Sequence, residues 1–465
     1  MRGLILFVMF TLLMLNGAAQ SLTQKIALRV RELEADPQMR HAILSVSVKE
    51  SITGKTIIEH NAQIGLAPAS TQKIVTSVAS FELLGKDFRY PTFFRVKKNN
   101  ADSLAIDLDI ESSGDPTFET ARFEETTDTV LLKNFLNAFR KKYSRRLGVN
   151  LFINDYKFGN ALPGGFIWED IGNYYGAGGR QLNWRENQFD LHFNSSSKTT
   201  QLVKTDPLQP QIEFINRVKA DSSVCDDQII MYCAPESRIA YLEGSMPVDK
   251  KNFIVGGAMP DPAITFANEL KMRLGTEQEI RKIIIDRNIS TKEITEKLFF
   301  SYDTVFTHFS PTLDSINYYF LRKSINLYGE ALIKSIAFKK AGWGSTERGI
   351  QEVRDFFALH GIDKAALNIS DGSGLSPQNR VTTHALVSVL QYAKLRPWFN
   401  FFYSALPEFN GMKMKSGSIG GVRAFCGYHR SANGKEYLFS IIINNFDGSP
   451  GEIVRKMYRL LDTLK

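Results

Sequence analysis

Ser70 and Lys73 stand three positions apart in Ser70-Thr71-Gln72-Lys73. On a helix, positions i and i+3 share a face, so hydroxyl and amine come within hydrogen-bonding reach. A serine hydroxyl becomes nucleophilic only when an adjacent base takes its proton. Lys73 can be that base if its pKa falls from about 10.4 toward neutrality, which burial and a second nearby cation such as Lys415 would bring about. The pair therefore reads as nucleophile and general base.

Two further motifs follow, Ser324-Ile325-Asn326 and Lys415-Ser416-Gly417, with Ser418 next in the chain. Ser324 would relay a proton between Lys73 or Lys415 and a leaving amine. Asn326 could accept from Lys73 and donate its amide to a substrate carbonyl. Lys415, Ser416 and Ser418 can hold a carboxylate, and Gly417 lets a substrate backbone come close. The backbone N–H groups of Ser70 and Ser418 are the expected oxyanion donors. Each motif alone has a bland alternative: a chance tetrad, a helix cap ahead of residues 327–337, a solvated hairpin turn. Their order and contexts give them joint weight.

Those side chains need elements to hold them. Leu66-Ala67-Pro68-Ala69 leads into Ser70, and the proline pre-sets a helical start that puts Ser70 near a helix N-terminus. Upstream, the pattern predicts an amphipathic helix over 22–34 and a β-hairpin from 41–48 and 56–60, turning at Thr53-Gly54. At the far end it predicts a strand that begins with Lys415-Ser416-Gly417-Ser418, strands over 421–428 and over 436–445, then a helix over 452–464. Strands and helices near both termini imply one α/β domain built from both ends of the chain. Residues 89–295 read as inserted, mostly β material, with alternating runs at 103–110 and 148–153. The expected division is a catalytic domain from 20–88 and 296–465, a second domain over 89–189, and a third domain or an extension of the second over 190–295.

The chain has 465 residues, 43% of them hydrophobic and 11% aromatic, enough for about three domains of roughly 150 residues and contrary to disorder. Met1-Arg2, an apolar run to about Leu15 and the small residues Gly17-Ala18-Ala19 have the form of a secretory signal peptide cleaved near Ala19. The run is short for a spanning helix, so an exported, periplasmic protein is expected. Export permits Cys225 and Cys233 to pair and equally leaves them free, whereas Cys426 alternates with Val422, Ala424 and Tyr428 like the inward face of a strand. The net charge of +8 fits peripheral contact with an anionic envelope membrane or polymer, and fits ordinary solubility as well. Lys and Arg are scattered without a recognition helix, so nucleic acid is a poor partner.

The three motifs resemble those of the penicillin-recognising serine enzymes, in which S-x-x-K, S-x-N and K-[ST]-G converge on one cleft. More narrowly, the chain resembles the low-molecular-mass class C penicillin-binding proteins, the D-alanyl-D-alanine carboxypeptidase/endopeptidase family. Further stretches carry the resemblance: Leu66 to Lys73, Ser113-Gly-Asp-Pro-Thr117, Trp168 to Ala177 with Leu182-Asn183, and Ser370-Asp-Gly-Ser-Gly-Leu-Ser376. The roughly 250 residues between Lys73 and Ser324 match that family's habit of inserting domains there. Serine stands at 416 and 418 where threonine is more usual.

The resemblance implies a multi-domain α+β chain with a β-lactamase-like catalytic domain, a five-stranded antiparallel sheet covered by helices. It implies Ser70 as nucleophile, Lys73 as general base, Ser324 and Asn326 as second motif, and Lys415, Ser416, Gly417 and Ser418 as the carboxylate-binding wall. Peptidoglycan stem peptides ending in D-Ala-D-Ala would be substrates, β-lactams would trap Ser70, and no metal or organic cofactor is required. Two competitors follow: a peptidoglycan-binding scaffold without turnover and a β-lactamase-like hydrolase. H-E-x-x-H and G-x-S-x-G are missing from the sequence, which disfavours a zinc peptidase or an α/β-hydrolase. Asp155 could touch the third residue of the stem peptide, with a turn position as the plainer expectation.

Overall fold

Tyr437-Leu-Phe-Ser-Ile-Ile-Ile443 is apolar at all but one position, the pattern of a strand covered on both faces. The computed structural model describes residues 21–98, 104–143, 148–275, 279–287 and 302–465, so the expected signal peptide over 1–19 lies outside the described residues. In it, strand Glu436–Asn444 is central to an antiparallel sheet ordered Glu408–Phe409, Met412–Ile419, Val422–Arg430, Glu436–Asn444, Ile43–Glu50, Thr56–His60. Five strands were expected, and the sixth is a two-residue edge piece. Ile43–Glu50 pairs along its whole length with Glu436–Asn444, from Ile43 opposite Asn444 to Glu50 opposite Tyr437, which joins the two ends of the chain.

Alternation sorts the side chains to two cores. Leu438, Ile442, Ala424 and Cys426 face the helices Lys73–Leu83, Leu313–Arg322, Asn326–Ala341 and Thr383–Lys394. Phe439, Ile441, Ile443 and Phe425 face the helices Leu22–Glu34 and Pro450–Leu461 through Ile26, Val30, Ile453 and Met457. Each fully buried Ile, Leu or Phe contributes about 1.5–3 kcal/mol, so the two-sided cover fixes this sheet firmly. Cys426 is buried there as expected, and Cys225 (exposed) and Cys233 (buried) are both free thiols.

The inserted material has its own core. A second sheet runs in the order Glu279–Asp286, Gly148–Asn154, Ala105–Ser112, Pro91–Lys98, Asp303–Phe309. Its first three strands are parallel. Parallel neighbours need a long crossover, and helix Asp128–Lys142 supplies it, packing Leu131, Leu132, Phe135 and Phe139 on Leu108, Val149 and Leu151. The alternating runs predicted the strands but not their direction. Small sheets over 188–258 complete this half. No helix among the described residues is long and apolar enough to cross a membrane.

Candidate active site

Pro68 opens a 3-10 turn, Ala69–Gln72, that runs straight into helix Lys73–Leu83. The Thr71 N–H and hydroxyl both donate to the Pro68 carbonyl, at 3.3 and 2.6 Å, and Ala69 is held at φ 46°, a conformation that costs an alanine about 1–3 kcal/mol. Ser70 emerges from this turn onto an open cleft of about 680 Å³, and Lys73 lies wholly buried behind it.

The Lys73 amine has three neighbours: Ser70 Oγ at 2.8 Å, Asn326 Oδ1 at 2.7 Å and the Ser373 carbonyl at 2.7 Å. The Asn326 amide orientation follows from its Nδ2 donating to the Tyr175 carbonyl at 2.8 Å. Two of the three neighbours can therefore only accept. A neutral amine would spend its two N–H bonds on them, which turns its lone pair toward Ser70. Burial holds the Lys73 amine well below its ordinary range, and the charge of Lys415 adds to the fall; Asp371 and Glu330 oppose it. The expected hydroxyl–amine pair is thus assembled with the polarity a general base needs.

Ser373 belongs to a loop to which sequence reasoning gave no role, although Ser370 to Ser376 stood out as family-like. Asp371 organises it, accepting from Gly374 N (2.7 Å), Ser376 N (2.6 Å), Gln72 Nε2 (3.0 Å) and Asn379 Nδ2 (3.1 Å). Glu330, one turn beyond Asn326, accepts from Gly372 N at 3.1 Å, and burial, with the charge of Asp371 adding, pushes its carboxyl up to about 7. Together they fix where the Ser373 carbonyl points. A polar run with two glycines between helices was the available signal.

Lys415-Ser416-Gly417-Ser418 was expected at the start of a strand and lies in the middle of Met412–Ile419. Lys415 is buried, donates to the Ser416 carbonyl at 2.8 Å, and is pushed down to about 7 by burial. Gly417 was expected to admit a substrate backbone; its close neighbour is the turn that carries Ser70, since a Cβ there would meet the Pro68 carbonyl at 2.6 Å. Ser418 lines the cleft together with Ser70, Ser324 and Asn326, whereas Ser416 and Gly417 sit in the strand beside it. Neither Ser324 nor Asn326 caps the following helix by its side chain: Ile325 is the cap residue, Asn326 opens Asn326–Ala341, and Ser324 has φ 58°. Among the described residues the Ser324 hydroxyl bonds neither Lys73 nor Lys415, so the structure places it on the wall without a completed relay.

Asp155 is neither a turn residue nor a cleft residue. It is buried in an ion-pair cluster with Arg180 (3.3 Å) and Arg287 (3.6 Å), because a carboxylate this deep needs cationic partners. The segment Trp168 to Gly176 instead supplies part of the cleft wall, through Asp170, Tyr174 and Tyr175.

Known proteins share this arrangement of the chain. A D-alanyl-D-alanine carboxypeptidase of Actinomadura sp. (strain R39) is 24% identical over 93% of this chain and 85% of its own length. The D-alanyl-D-alanine carboxypeptidase DacB of Haemophilus influenzae is 23% identical over 87% of this chain and 85% of its own. The crystal structure of penicillin binding protein 4 (dacB) from Haemophilus influenzae superposes with a TM-score of 0.77 at 19% identity, covering 94% of this chain and 99% of that one, a likeness of fold. The sequence profile of the D-Ala-D-Ala carboxypeptidase 3 (S13) family matches residues 26–408, and with most of its length inside that match the chain belongs to this family.

Proposed function

We propose that the protein is a serine-type D-alanyl-D-alanine carboxypeptidase and/or endopeptidase acting on peptidoglycan stem peptides, with Ser70 as the acylated residue. The observation that carries this is the Lys73 amine, 2.8 Å from Ser70 Oγ and pinned by two acceptors. Ser70 Oγ attacks the carbonyl of the penultimate D-alanine while its proton passes to Lys73. The N–H groups of Ser70 and Ser418 receive the oxyanion. The C–N bond breaks, and the leaving amine takes a proton from Lys73, through Ser324 once that hydroxyl turns toward the Lys73 amine, which it does not bond in the free protein. Lys415, Ser416 and Ser418 hold the terminal carboxylate. Water then releases the acyl group.

Export by the leader over 1–19 would place the enzyme in the periplasm beside its polymer, and the charge of +8 would favour peripheral contact with an anionic envelope. Of the division into 20–88 with 296–465, 89–189 and 190–295, the sheet built from both termini supports the discontinuous catalytic domain, but strand Asp303–Phe309 pairs with Pro91–Lys98 of the inserted sheet and moves the boundary at 296 to beyond Phe309, and Glu279–Asp286 pairs with Gly148–Asn154, which makes 190–295 an extension of the second domain. The Haemophilus influenzae protein binds a β-lactam in a solved complex, and the same trapping is expected here.

The test is adduct mass after incubation with a labelled penicillin, run on the mature protein and on Ser70→Ala, with D-alanine release from a muropeptide in parallel. A Ser70-dependent adduct with D-alanine release is expected. No Ser70-dependent adduct sinks the proposal, an adduct without release indicates a scaffold, and rapid drug turnover indicates a β-lactamase.

A further inference from the structure

The rim of the cleft carries more exposed apolar surface than chemistry at Ser70 requires. Ile167, Trp168, Tyr174 and Tyr175 belong to one short segment and are 43%, 48%, 51% and 36% exposed. Ile167, Tyr174 and Tyr175 line the cleft, with Gln188 on the same wall. These rings are not loose. Trp168 opens the short helix Trp168–Ile171 and stacks on Tyr232 with centroids 6.0 Å apart and planes at 29°. The Tyr174 side chain lies over Gly256, where a Cβ would come within 3.1 to 3.3 Å of its Cδ1, Cβ and Cγ. Tyr174 and Tyr175 meet edge to face at 5.3 Å, and the Asp170 carboxylate lies near the Tyr175 hydroxyl.

Rings held in place and half exposed lose little conformational freedom when a ligand covers them, and a tyrosine adds a polar tip to its apolar face. The apolar C–H face of a pyranose fits such rings, and its hydroxyls fit polar groups like Gln188. A lipid or an apolar protein surface would leave the phenol and amide groups of this wall unpaired on burial, at a cost. Connectivity selects the same occupant. Four extended residues span only about 13–14 Å, so a stem peptide acylated at Ser70 holds its saccharide close to the mouth of the cleft.

We propose that Trp168 and Tyr174, backed by Tyr232 and Gly256, form a saccharide platform that docks the glycan strand whose stem peptide enters the cleft. The inference rests on the peptidoglycan peptidase function proposed above and adds a second binding site to it.

The test compares the wild type with Trp168→Ala, Tyr174→Ala and Trp168→Phe on two substrates with the same pentapeptide, one carrying its glycan chain and one glycan-free. Expected is a KM raised about five- to tenfold on the glycan-bearing substrate for each alanine variant, with kcat unchanged for Trp168→Ala. For Trp168→Ala, whose ring is not among those lining the cleft, the glycan-free peptide and penicillin acylation should be unaffected, and Trp168→Phe should recover most of the loss; Tyr174→Ala, on the cleft wall, should lose more on the glycan-bearing substrate than on the glycan-free one. Equal loss on both substrates, or loss on neither, overturns the platform. A separate arm titrates wild type with peptide-free glycan chains and follows tryptophan fluorescence, assigned with Trp168→Phe; lack of saturable binding overturns the platform even if an alanine variant fails to fold. Failure of the peptidase proposal would show differently, as no Ser70-dependent penicillin adduct in the wild type.

Discussion

Gly417 packs so closely on the turn that carries Ser70 that a Cβ built on it would lie 3.1 Å from the Ser70 backbone nitrogen and 2.6 Å from the Pro68 carbonyl oxygen. Strand Met412–Ile419 and the Ser70 turn are thereby set against each other at backbone distance, which fixes the spacing between the two oxyanion donors proposed at Ser70 and Ser418.

Gly417→Ala must push the strand from the turn, because the atoms in its way are backbone. Overpacking of this kind costs roughly 1–3 kcal/mol, and a misplacement near 1 Å can cost about 10²-fold in rate. The expected result is a modest fall in melting temperature with a disproportionate loss of penicillin acylation, followed by calorimetry and adduct kinetics on the same samples. Unchanged acylation would count against the donor geometry.

Asp371 should matter without touching substrate. Its two oxygens take four donors, so Asp371→Asn turns an amide N–H₂ toward two of them. The predicted loss is about 3 kcal/mol in urea unfolding, together with slower acylation as the Ser373 carbonyl leaves its place beside Lys73.

What the sequence made legible follows from range. Ser70 and Lys73 are one helical turn apart, so their meeting could be read locally, and the alternation around Cys426 announced a buried strand. Asn326 and Lys415 could be grouped with them only through motif order and resemblance, since a chain this long gives no distance between residues 250 or more positions apart. The Ser373 carbonyl could not be read at all, because any residue offers a carbonyl and only the Asp371 loop aims this one. Asp155 was misplaced because its cationic partners Arg180 and Arg287 come from distant segments. The parallel run in the inserted sheet was hidden for a similar reason, as alternation reports burial and not strand direction.

The two buried lysines should give kcat/KM a bell-shaped pH profile. Lys73 must be neutral to take the Ser70 proton, so the rate rises as pH increases through its lowered pKa. Lys415 must stay charged to hold a carboxylate, so the rate falls as pH passes about 7. Values from kcat/KM report the free enzyme. Lys415→Arg keeps its charge at any accessible pH, which should move the alkaline limb upward. A substrate with its terminal carboxylate amidated should lack that limb in the wild type; its persistence would remove Lys415 from carboxylate binding.

Asn326→Asp tests whether the side chain beside Lys73 works as a neutral acceptor. It conserves size and one acceptor oxygen but places a negative charge within hydrogen-bonding distance of the amine, where Asn326 Oδ1 now stands at 2.7 Å. An opposite charge this close favours the ammonium, so the Lys73 pKa rises, less amine is free at a given pH, and the acid limb of the acylation profile shifts to higher pH. It also sets a carboxylate against the Tyr175 carbonyl that Nδ2 now satisfies, loosening the wall there. At neutral pH the acylation rate should fall roughly 10²-fold and recover in part as pH rises. Asn326→Ala, which lacks the charge, should lose a similar factor with no such recovery. Parallel profiles for the two variants would mean that Asn326 only spaces the helices, and that Lys73 takes its orientation from Ser373 alone.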